Sequence, residues 1–288
     1  MKYKNLLVWM AAVGIFLAAG TFFYYFGRPT PLEMREEIYP CVVYYRRVHT
    51  QPRLMIAHIV TVDLSCENIT TVITPPEKGD KENPLRARTT SQFASEFGTQ
   101  VAINGDGFTP WWSNTPWDYY PRPGEAVSPN GFAASGRKEY GSRDADEITL
   151  FINERGEASF GTPVGKIYNA ISGTNWLVHE RQVIEDLNDT RKAPRTAVGL
   201  DGPGTRLILI VVDGRQPFYS EGATIAETAE LMLTYGGDNA ILLDGGGSST
   251  LVIDWPGEGQ KVMNSPIDRY LPGRERAVGN HLGILAKP

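Results

Sequence analysis

The stretch Ile241–Val252, ILLDGGGSSTLV, joins a predicted buried strand to an acid and three consecutive glycines. Glycine tolerates positive φ and carries no side chain, so the sequence after Asp244 predicts a tight turn whose backbone N–H groups can bind an anion. Ser248, Ser249 and Thr250 add hydroxyl groups. The spacing matches neither a P-loop nor a dinucleotide fingerprint. A tight turn without a ligand is the competing interpretation.

A second apolar run ends in the same way. The run RLILIVVDGR reads as a strand buried on both faces, and it delivers Asp213 ahead of Gly214 and Arg215. Functional side chains in α/β proteins often follow strand ends. Since a helical pattern separates the two runs, we expect neighbouring strands with Asp213 and Asp244 at one edge of the sheet. An ordinary Asp-Gly turn is the alternative at Asp213.

Two arginines and one glutamate have both functional and structural interpretations. Arg195 and Arg276 each precede an apolar strand, and guanidinium groups bind phosphate or carboxylate bidentately. Surface salt bridges are the default for either arginine alone. Glu227 stands three residues after Thr224, a spacing typical of a capping box rather than of a catalytic acid.

Aromatic residues are concentrated after the turn NGDGF. The stretch from Trp111 to Tyr120 contains three tryptophans and two tyrosines in a loop rich in proline. These rings could stack on sugars, or they could form a small satellite core that holds the loop. The histidines are scattered without metal-ligand spacing, and we expect structural roles for His49, His58, His179 and His281.

The whole chain predicts an α+β (mixed α/β) fold in a single domain, with a twisted mixed β-sheet and a few helices. A helix from Thr90 to Phe97 is expected to end at Gly98, and a hairpin is expected around Asn153–Gly156. The 288 residues carry a net charge of −5 and no long Lys/Arg run, which argues against a nucleic-acid partner.

The N-terminal segment predicts a membrane helix. Leu6–Phe26 contains no charged residue, and Lys2 and Lys4 precede it, so we expect a signal anchor over residues 1–27 with the body on the extracytoplasmic side. A cleaved signal peptide is the alternative. A linker is expected over residues 28–40 and the catalytic domain over residues 41–288. Cys41 and Cys66 could pair in an oxidising compartment, or they could be two buried thiols.

The order of several segments resembles the phosphodiester glycosidase family. The segments are NGDGF, ISGTNWLV, RTAVG, VVDGR, TIAE, LLDGGGSSTLV and RERAVGNHLGI, between about Gln100 and Leu285. The resemblance implies hydrolysis of the anomeric bond between a sugar and a phosphodiester. It implies catalytic candidates at Asp244, Asp213, Arg195 and Arg215. The substrate-binding candidates are Asn104, Asp106, Gly245, Gly246, Gly247, Ser248, Ser249, Arg276 and Asn280.

One departure from the family pattern and several alternatives stay open at this point. Asp106 stands where the family usually has glycine, and it could add a carboxylate to the site or adapt the turn. Hydrolysis of an ordinary glycosidic bond or of a P–O bond, and a non-catalytic membrane-anchored carbohydrate-binding module, are the alternative functions. No metal pattern is evident, although acidic loops could hold Ca²⁺ or Mg²⁺. The expected partners are a sugar-phosphate or polysaccharide substrate of the cell envelope and, through the helix, a membrane.

Overall fold

The computed structural model describes residues 2–77, 79–115, 117–143 and 147–286. The helices of this part of the chain are α1 (Lys2–Phe26), α2 (Thr90–Phe97) and α3 (Ile225–Thr234). The first strands are β1 (Met34–Tyr39), β2 (Val42–His49), β3 (Met55–Asp63), β4 (Ile69–Ile73), β5 (Leu85–Arg86), β6 (Val101–Asn104), β7 (Phe108–Thr109) and β8 (Trp112–Ser113). Next come β9 (Tyr119–Tyr120), β10 (Ala126–Pro129), β11 (Ala133–Ser135), β12 (Lys138–Tyr140), β13 (Ile148–Ile152), β14 (Ala158–Phe160), β15 (Asn169–Gly173) and β16 (Asn175–His179). The last are β17 (Gln182–Val183), β18 (Arg195–Leu200), β19 (Arg206–Val212), β20 (Asn239–Leu242), β21 (Leu251–Trp255), β22 (Gly259–Val262) and β23 (His281–Ala286).

The largest sheet has the order β1-β2-β3-β19-β18-β20-β16-β17. Successive side chains of β19 point to opposite faces, so Leu207 and Leu209 enter one hydrophobic core while Ile208 and Ile210 enter another. This double burial confirms the interpretation of the apolar run RLILIVVD. It also explains why the run contains no polar residue within β19 after Arg206.

Layers of secondary structure cover both faces of this sheet. Ala229 and Met232 of α3 belong to the core on one face. On the other face packs a second sheet of order β22-β21-β6-β23-β4, whose far side is covered by Phe93 and Ala94 of α2. The prediction of a mixed fold of helices and sheets is confirmed. The ladders between the named strands are all antiparallel, and they form several sheets rather than one.

The two short helices begin at capping boxes. Thr89 and Gln92 bond reciprocally at the start of α2, and Gly98 ends that helix in the left-handed region at φ 63°. Thr224 and Glu227 do the same for α3. The predicted helix Thr90–Phe97 and the predicted capping role of Glu227 are therefore confirmed, and Glu227 is further held by an ion pair with Arg53.

The strand ends that the sequence analysis identified in β18, β19 and β20 lie at one edge of the large sheet. β18 lies between β19 and β20, and both ladders are antiparallel. As a result β19 and β20 run in the same direction, and Asp213 and Asp244 follow at the same edge where Arg195 begins β18. The shared edge is confirmed. The expectation that β19 and β20 are neighbours is wrong, because β18 separates them.

The segment after the N-terminal helix differs from the prediction. Residues 34–39 were expected within a linker, but they form β1 and pair with β2. Arg28 is also attached to the domain, because its guanidinium donates to Gln216 Oε1 at 2.6 Å and to Ser265 Oγ at 2.9 Å. Residues 34–39 of the predicted linker therefore belong to the large sheet, and Arg28 contacts the domain.

Helix α1 is long and apolar enough to cross a membrane. The window Asn5–Phe22 has a mean hydropathy of 1.8 and is not buried in the protein. A signal sequence at the N-terminus passes the same test.

Cys41 and Cys66 form a disulfide, which resolves the alternative left open by the sequence. The bond joins the β1–β2 turn to the segment after β3.

Candidate active site

A cavity of about 420 Å³ opens at the sheet edge described above. Predicted site residues that line it are Arg195, Arg215, Asp244, Gly245, Gly246, Gly247 and Arg276. The sequence analysis did not assign the other lining residues to the site, and these are Gly107, Phe108, Trp111, Asn130, Arg191 and Ala193. Within the described residues, the cavity is thus built from four glycines, four arginines and one carboxylate, with two aromatic side chains, an asparagine and an alanine around them.

The three glycines are required because other groups lie directly on their backbone. A Cβ on Gly245 would come within 2.9 Å of the Pro194 carbonyl oxygen. Gly246 has φ +65°, and a Cβ there would lie 3.0 Å from the Arg215 guanidinium. At Gly247 the same atom would lie 2.4 Å from the Arg276 guanidinium. The sequence GGG therefore allows two arginines to approach the loop closely.

The N–H groups of the glycine loop are largely used within the protein. Gly246 N–H donates to the Pro194 carbonyl at 2.9 Å, while Ser248 and Ser249 N–H groups donate to Gly245 and Gly246 carbonyls at 3.3 Å. The prediction that successive loop N–H groups form an anion-binding nest is therefore wrong for these positions. The arginines supply the positive charge of the site instead.

Four arginines face the cavity, and their positive charges repel one another. Arg195 is held by the Ala223 and Arg191 carbonyls at 3.0 and 2.7 Å. Its pKa is lowered, chiefly by burial and then by the charges of Arg191 and Arg215. Burial also lowers the pKa of Arg215, and the charges of Arg191 and Arg276 contribute to this shift. A bound anion would relieve this accumulation of positive charge.

Two of the arginines differ in how firmly they are held. Arg276 donates to Asp268 Oδ1 at 2.9 Å and to Ser248 Oγ at 3.2 Å. Asp268 is buried and also lies 3.5 Å from the guanidinium groups of Arg269 and Arg274. The guanidinium of Arg215, by contrast, makes no hydrogen bond or ion pair with another residue in the described part of the chain. Its donors are available for a ligand.

Asp244 is the carboxylate that lines the cavity within the described residues. Burial raises its pKa, while a hydrogen bond from Ser248, the charges of Arg276 and Arg215 and the Gly245 N–H group oppose that shift. A carboxylate that is desolvated yet kept close to cations suits a general base or a nucleophile. The structure thus combines Asp244 with the arginine cluster in one cavity.

Asp213 has a different environment, although it ends the companion strand. It is fully buried and does not line the cavity. Its Oδ1 accepts from the Ser265 N–H at 2.6 Å, and its Oδ2 lies 3.2 Å from His58 Nε2. His58 Nδ1 in turn lies 2.8 Å from the Tyr44 hydroxyl, which confirms the expected structural role of that histidine. Asp213 therefore lies behind the cavity, and the direct catalytic role predicted for it stays a prediction.

Several predicted substrate-binding residues lie behind the cavity and hold its loops. Asn104 Nδ2 donates to the Asp244 carbonyl at 2.7 Å, and its Oδ1 accepts from Thr196 Oγ1 at 2.8 Å. Ser249 Oγ lies 3.1 Å from the same Thr196 hydroxyl. Both residues are buried, so they position the loop after β20 rather than face a ligand. Ser248 is also buried, and it acts through Arg276 and Asp244.

Asp106 and Asn280 form a second buried pair. Asn280 Nδ2 donates to Asp106 Oδ1 at 3.0 Å, and the Gly131 N–H donates to Asp106 Oδ2 at 3.3 Å. Burial raises the pKa of Asp106 to about 8, with a contribution from the charge of Glu147. Neither residue lines the cavity. The geometry favours the alternative in which Asp106 adapts the turn after β6, and its role as a substrate-binding carboxylate stays a prediction.

Sequence reasoning missed Arg191 and Asn130. Arg191 stands in RKAPR, four residues before Arg195, and this repeated basic character just before a buried strand was the available signal. Asn130 packs directly on the turn NGDGF, since a Cβ on Gly107 would lie 2.6 Å from its side-chain nitrogen. No local pattern marks that contact. In the described residues, no group of three or more His, Cys, Asp or Glu side chains has the arrangement of a metal site.

The comparisons with known proteins identify the family and agree with the fold. The family model for phosphodiester glycosidase matches residues 97–285, which is more than half of the chain. The chain therefore belongs to the phosphodiester glycosidase family. All the arginines, glycines and acids of the cavity described above fall inside the matched range.

The curated relatives match only part of this chain, at 30–37% identity. The chain is 37% identical over 150 residues to an uncharacterized SPbeta prophage-derived protein of Bacillus subtilis, a match covering 51% of this chain and 20% of that protein. It is 30% identical over 129 residues to N-acetylglucosamine-1-phosphodiester alpha-N-acetylglucosaminidase of Bos taurus, covering 39% of this chain and 23% of the relative. The chain thus spans only a fifth to a quarter of the length of these curated relatives.

Solved structures share the fold. The catalytic domain of the zebrafish N-acetylglucosamine-1-phosphodiester alpha-N-acetylglucosaminidase, auto-inhibited by its pro-peptide, aligns with a TM-score of 0.56 at 21% identity, covering 90% of this chain and 85% of that one. A hypothetical protein from Synechocystis aligns with a TM-score of 0.57 at 13% identity, covering 90% and 64%. At these identities the likeness establishes the architecture alone.

Proposed function

We propose that this protein hydrolyses the anomeric C–O bond of a sugar-1-phosphodiester, releasing free sugar and a phosphomonoester. The observation that carries the proposal is the cavity in which Asp244 faces a cluster of four arginines. A phosphodiester supplies both an anion for the arginines and an anomeric carbon for the carboxylate. Membership of the phosphodiester glycosidase family supports the same reaction class.

The arginines serve the departing phosphate. When the anomeric bond breaks, negative charge develops on the phosphate oxygen, and guanidinium groups that are already in place stabilise that charge. Within the described residues, the guanidinium of Arg215 has no hydrogen-bond acceptor, whereas Arg276 and Arg195 are held by acceptors of the protein. A phosphate monoester is a good leaving group, so the reaction needs less help from a general acid than an ordinary glycoside does. This difference fits a cavity with one carboxylate instead of the usual pair.

Asp244 acts at the anomeric carbon. Its carboxylate either attacks that carbon or removes a proton from the attacking water, and the stereochemistry of the released sugar distinguishes these roles. Retention of configuration would make Asp244 the nucleophile, and inversion would make it the base. Asp213 contributes by fixing the loop that carries Arg215, through its hydrogen bond with Ser265.

We further propose that α1 anchors the chain in a membrane and that the folded body lies on the extracytoplasmic side, where it acts on envelope polysaccharide or glycolipid. Lys2 and Lys4, which precede the uncharged run of α1 in the sequence, and the Cys41–Cys66 bond support this placement. Alkaline extraction and protease protection of intact cells test it. A body that resists protease added from outside, in cells whose outer layers have been removed, would contradict it.

The central experiment measures turnover of the full chain in detergent with a panel of α-linked sugar-1-phosphodiesters in ¹⁸O-labelled water. We expect label in the sugar and not in the phosphate, because the C–O bond breaks. Asp244→Asn should slow release by about a thousandfold. The matched control is Asp63→Asn, which removes one charge at the exposed opposite end of β3 and keeps the Oδ1 acceptor for Ser65.

Two results would overturn the proposal. Label in the phosphate would make the protein a phosphodiesterase that cleaves the P–O bond. Binding of the diesters without any turnover, in a wild-type protein as inactive as Asp244→Asn, would favour a carbohydrate-binding module.

A further inference from the structure

Helix α1 is attached to the edge of the domain that carries the candidate active site. Arg28 lies two positions after the end of α1. Its guanidinium donates to Gln216 Oε1 at 2.6 Å and to Ser265 Oγ at 2.9 Å, and it lies 4.2 Å from the centroid of the Tyr219 ring. Gln216 directly follows Arg215, which lines the arginine cavity. The end of α1 is therefore fixed beside the loop that carries Arg215.

The length of chain at this point leaves little separation between the domain and a membrane. Helix α1 has 25 residues. A helix of that length spans about 37 Å, compared with about 30 Å for the hydrocarbon core of a bilayer. The sequence FFYYF ends the helix, and aromatic residues are typical of the headgroup interface. The two residues from the end of α1 to Arg28 reach at most about 7 Å. In a chain anchored by α1, the loop beside Arg28 therefore lies at the level of the headgroups.

An exposed aromatic residue occupies the tip of this loop. The Gln216 N–H donates to the Ser220 carbonyl at 3.0 Å and the Ser220 N–H donates to the Gln216 carbonyl at 2.9 Å, so residues 217–219 form a tight turn. Phe218 is 61% exposed and has φ +68°, a conformation that bulky residues rarely adopt. The turn thus keeps a large apolar ring mostly outside the core of the protein.

A second loop exposes apolar side chains near the same cavity. Tyr270 is 72% exposed at φ +60°, and Leu271, which follows it, is 46% exposed. Burial lowers the pKa of Arg215, and the charge of the nearby Tyr270 opposes that shift. Asp268, two residues before Tyr270, binds Arg276 of the arginine cavity. Two separate loops beside the cavity therefore expose large apolar side chains.

We propose that this edge of the domain rests on the bilayer that holds α1, with Phe218, Tyr270 and Leu271 at the level of the lipid headgroups. This inference rests on the proposed anchoring of the chain by α1. Because α1 enters the bilayer within reach of Arg28, lipid is the first surface that these side chains meet. The four arginines of the cavity make the same edge basic, which favours anionic lipids. The candidate active site then lies next to the headgroups.

Cysteine labelling tests this arrangement in the full chain. Cys41 and Cys66, the two cysteines of the sequence, form a disulfide, so an introduced cysteine is the only free thiol. Phe218→Cys is labelled with the environment-sensitive dye NBD and reconstituted into vesicles of phosphatidylcholine and phosphatidylglycerol, with and without doxyl-labelled lipid. We expect the dye at position 218 to emit at a shorter wavelength than the same dye at a control position, and we expect doxyl lipid to quench it.

Val164→Cys is the matched control. Val164 is also a partly exposed apolar residue, at 48%. Its carbonyl accepts from Asn153 Nδ2 at 3.1 Å, and the turn at Gly156 packs against Leu64, which follows the end of β3 opposite to the cavity. The dye at position 164 should therefore keep the emission that it has in water, and its intensity should not change when doxyl lipid is present.

Tyr270→Cys supplies a second labelling position at the proposed contact, where we expect the same blue shift and the same quenching. Thermal unfolding of each labelled variant checks that the fold is retained. If Phe218→Cys does not fold, the comparison of Tyr270→Cys with Val164→Cys decides the test.

The outcomes separate the membrane contact from the other proposals. Equal quenching at positions 218 and 164 of vesicle-bound protein, or quenching at neither, would overturn the contact. A blue shift at position 218 that depends on protein concentration and is insensitive to doxyl lipid would assign this edge to a second copy of the chain, and would also overturn it. Release of the wild-type chain from vesicles at alkaline pH would overturn the anchoring by α1 itself. Hydrolysis of sugar-1-phosphodiesters by the same preparation is measured separately, so failure of the proposed reaction is distinguished from failure of the membrane contact.

Discussion

Asp213 and Asp244 have equivalent positions in the sequence pattern, but they differ in burial and in access to the cavity. Each acid follows a buried strand, precedes a glycine and lies at the same edge of the large sheet. Asp244 is half-buried and opens into the arginine cavity. Asp213 is fully buried and accepts hydrogen bonds from Ser265 and Asn264. A strand that ends in Asp-Gly places the acid at the edge of the sheet. The loops that pack over this edge determine whether the carboxylate is accessible to a ligand.

The same comparison explains the arrangement of the glycines. A Cβ on Gly214, after Asp213, would lie 2.6 Å from the backbone nitrogen of Pro194, a contact that cannot move easily. At Gly247 the obstructing group is the Arg276 guanidinium, which can move but would leave its place in the cavity. The two turns thus exclude side chains for different reasons, one for packing and the other for the site.

Asp244→Asn should give the largest effect. Under the proposed function it removes the only carboxylate in the described part of the cavity, and we expect kcat to fall by about a thousandfold, or about 4 kcal/mol in activation free energy. Steady-state kinetics with a sugar-1-phosphodiester that the wild type hydrolyses would measure it. A fall of less than tenfold would mean that another group performs the reaction at the anomeric carbon.

Asp213→Asn should act on stability. The substitution weakens buried hydrogen bonds to a charged acceptor, and we expect a loss of about 2 kcal/mol in the free energy of unfolding, measured by urea denaturation. The kcat of the folded fraction should fall less than it does in Asp244→Asn. If instead the two variants lost equal activity with unchanged stability, the distinction between the acids drawn above would not hold.

Gly247→Ala should have a smaller effect, on activity. The new methyl group displaces the Arg276 guanidinium, and we expect kcat/KM to fall by about tenfold, or about 1.4 kcal/mol. Gly214→Ala is its counterpart at the other acid, where we expect lower stability, measured by thermal unfolding. Equal effects of the two substitutions on both properties would contradict the separate reasons given for these glycines.

The pH dependence should show the smallest effect. Burial raises the pKa of Asp244 above its ordinary value of 3.8, so the reactive carboxylate is lost earlier as the pH falls. The acid limb of kcat/KM should therefore lie above pH 3.8 in the wild type. Arg276→Gln removes a charge that lowers this pKa, and the acid limb should move to higher pH. An acid limb that moves to lower pH in this variant would exclude Asp244 as its source.

The parts of the molecule predicted from sequence are those encoded locally. Strand β19 was predicted from an uninterrupted apolar run, and α2 and α3 were predicted from helical patterns that follow capping residues. The glycine loop was predicted from the residues before and after it. The shared edge of Asp213 and Asp244 followed from these elements alone. In each case the residues that determine the structure lie within one element or its ends.

The parts that could not be predicted depend on contacts between distant segments. The burial of Asp213 is fixed by His58 and Ser265, which come from opposite parts of the chain. Asn104 and Asn280 were expected to touch substrate, yet they bind neighbouring loops. Residues 34–39 lack an alternating pattern, since three consecutive charged residues (35–37) interrupt the segment, and they become β1 because they pair with β2.

The Cys41–Cys66 bond has a consequence for the biology of the protein as a whole. Thiols stay reduced in the cytosol of most cells and form disulfides in oxidising compartments outside it, so the redox state of this pair indicates where each molecule folded. Unfolding the protein at the moment of cell lysis in the presence of a thiol-reactive label would count the free thiols of each chain. Molecules without reactive thiols have crossed the membrane, whereas two labelled cysteines per chain would mean that the body folds inside and that its substrates must be sought there.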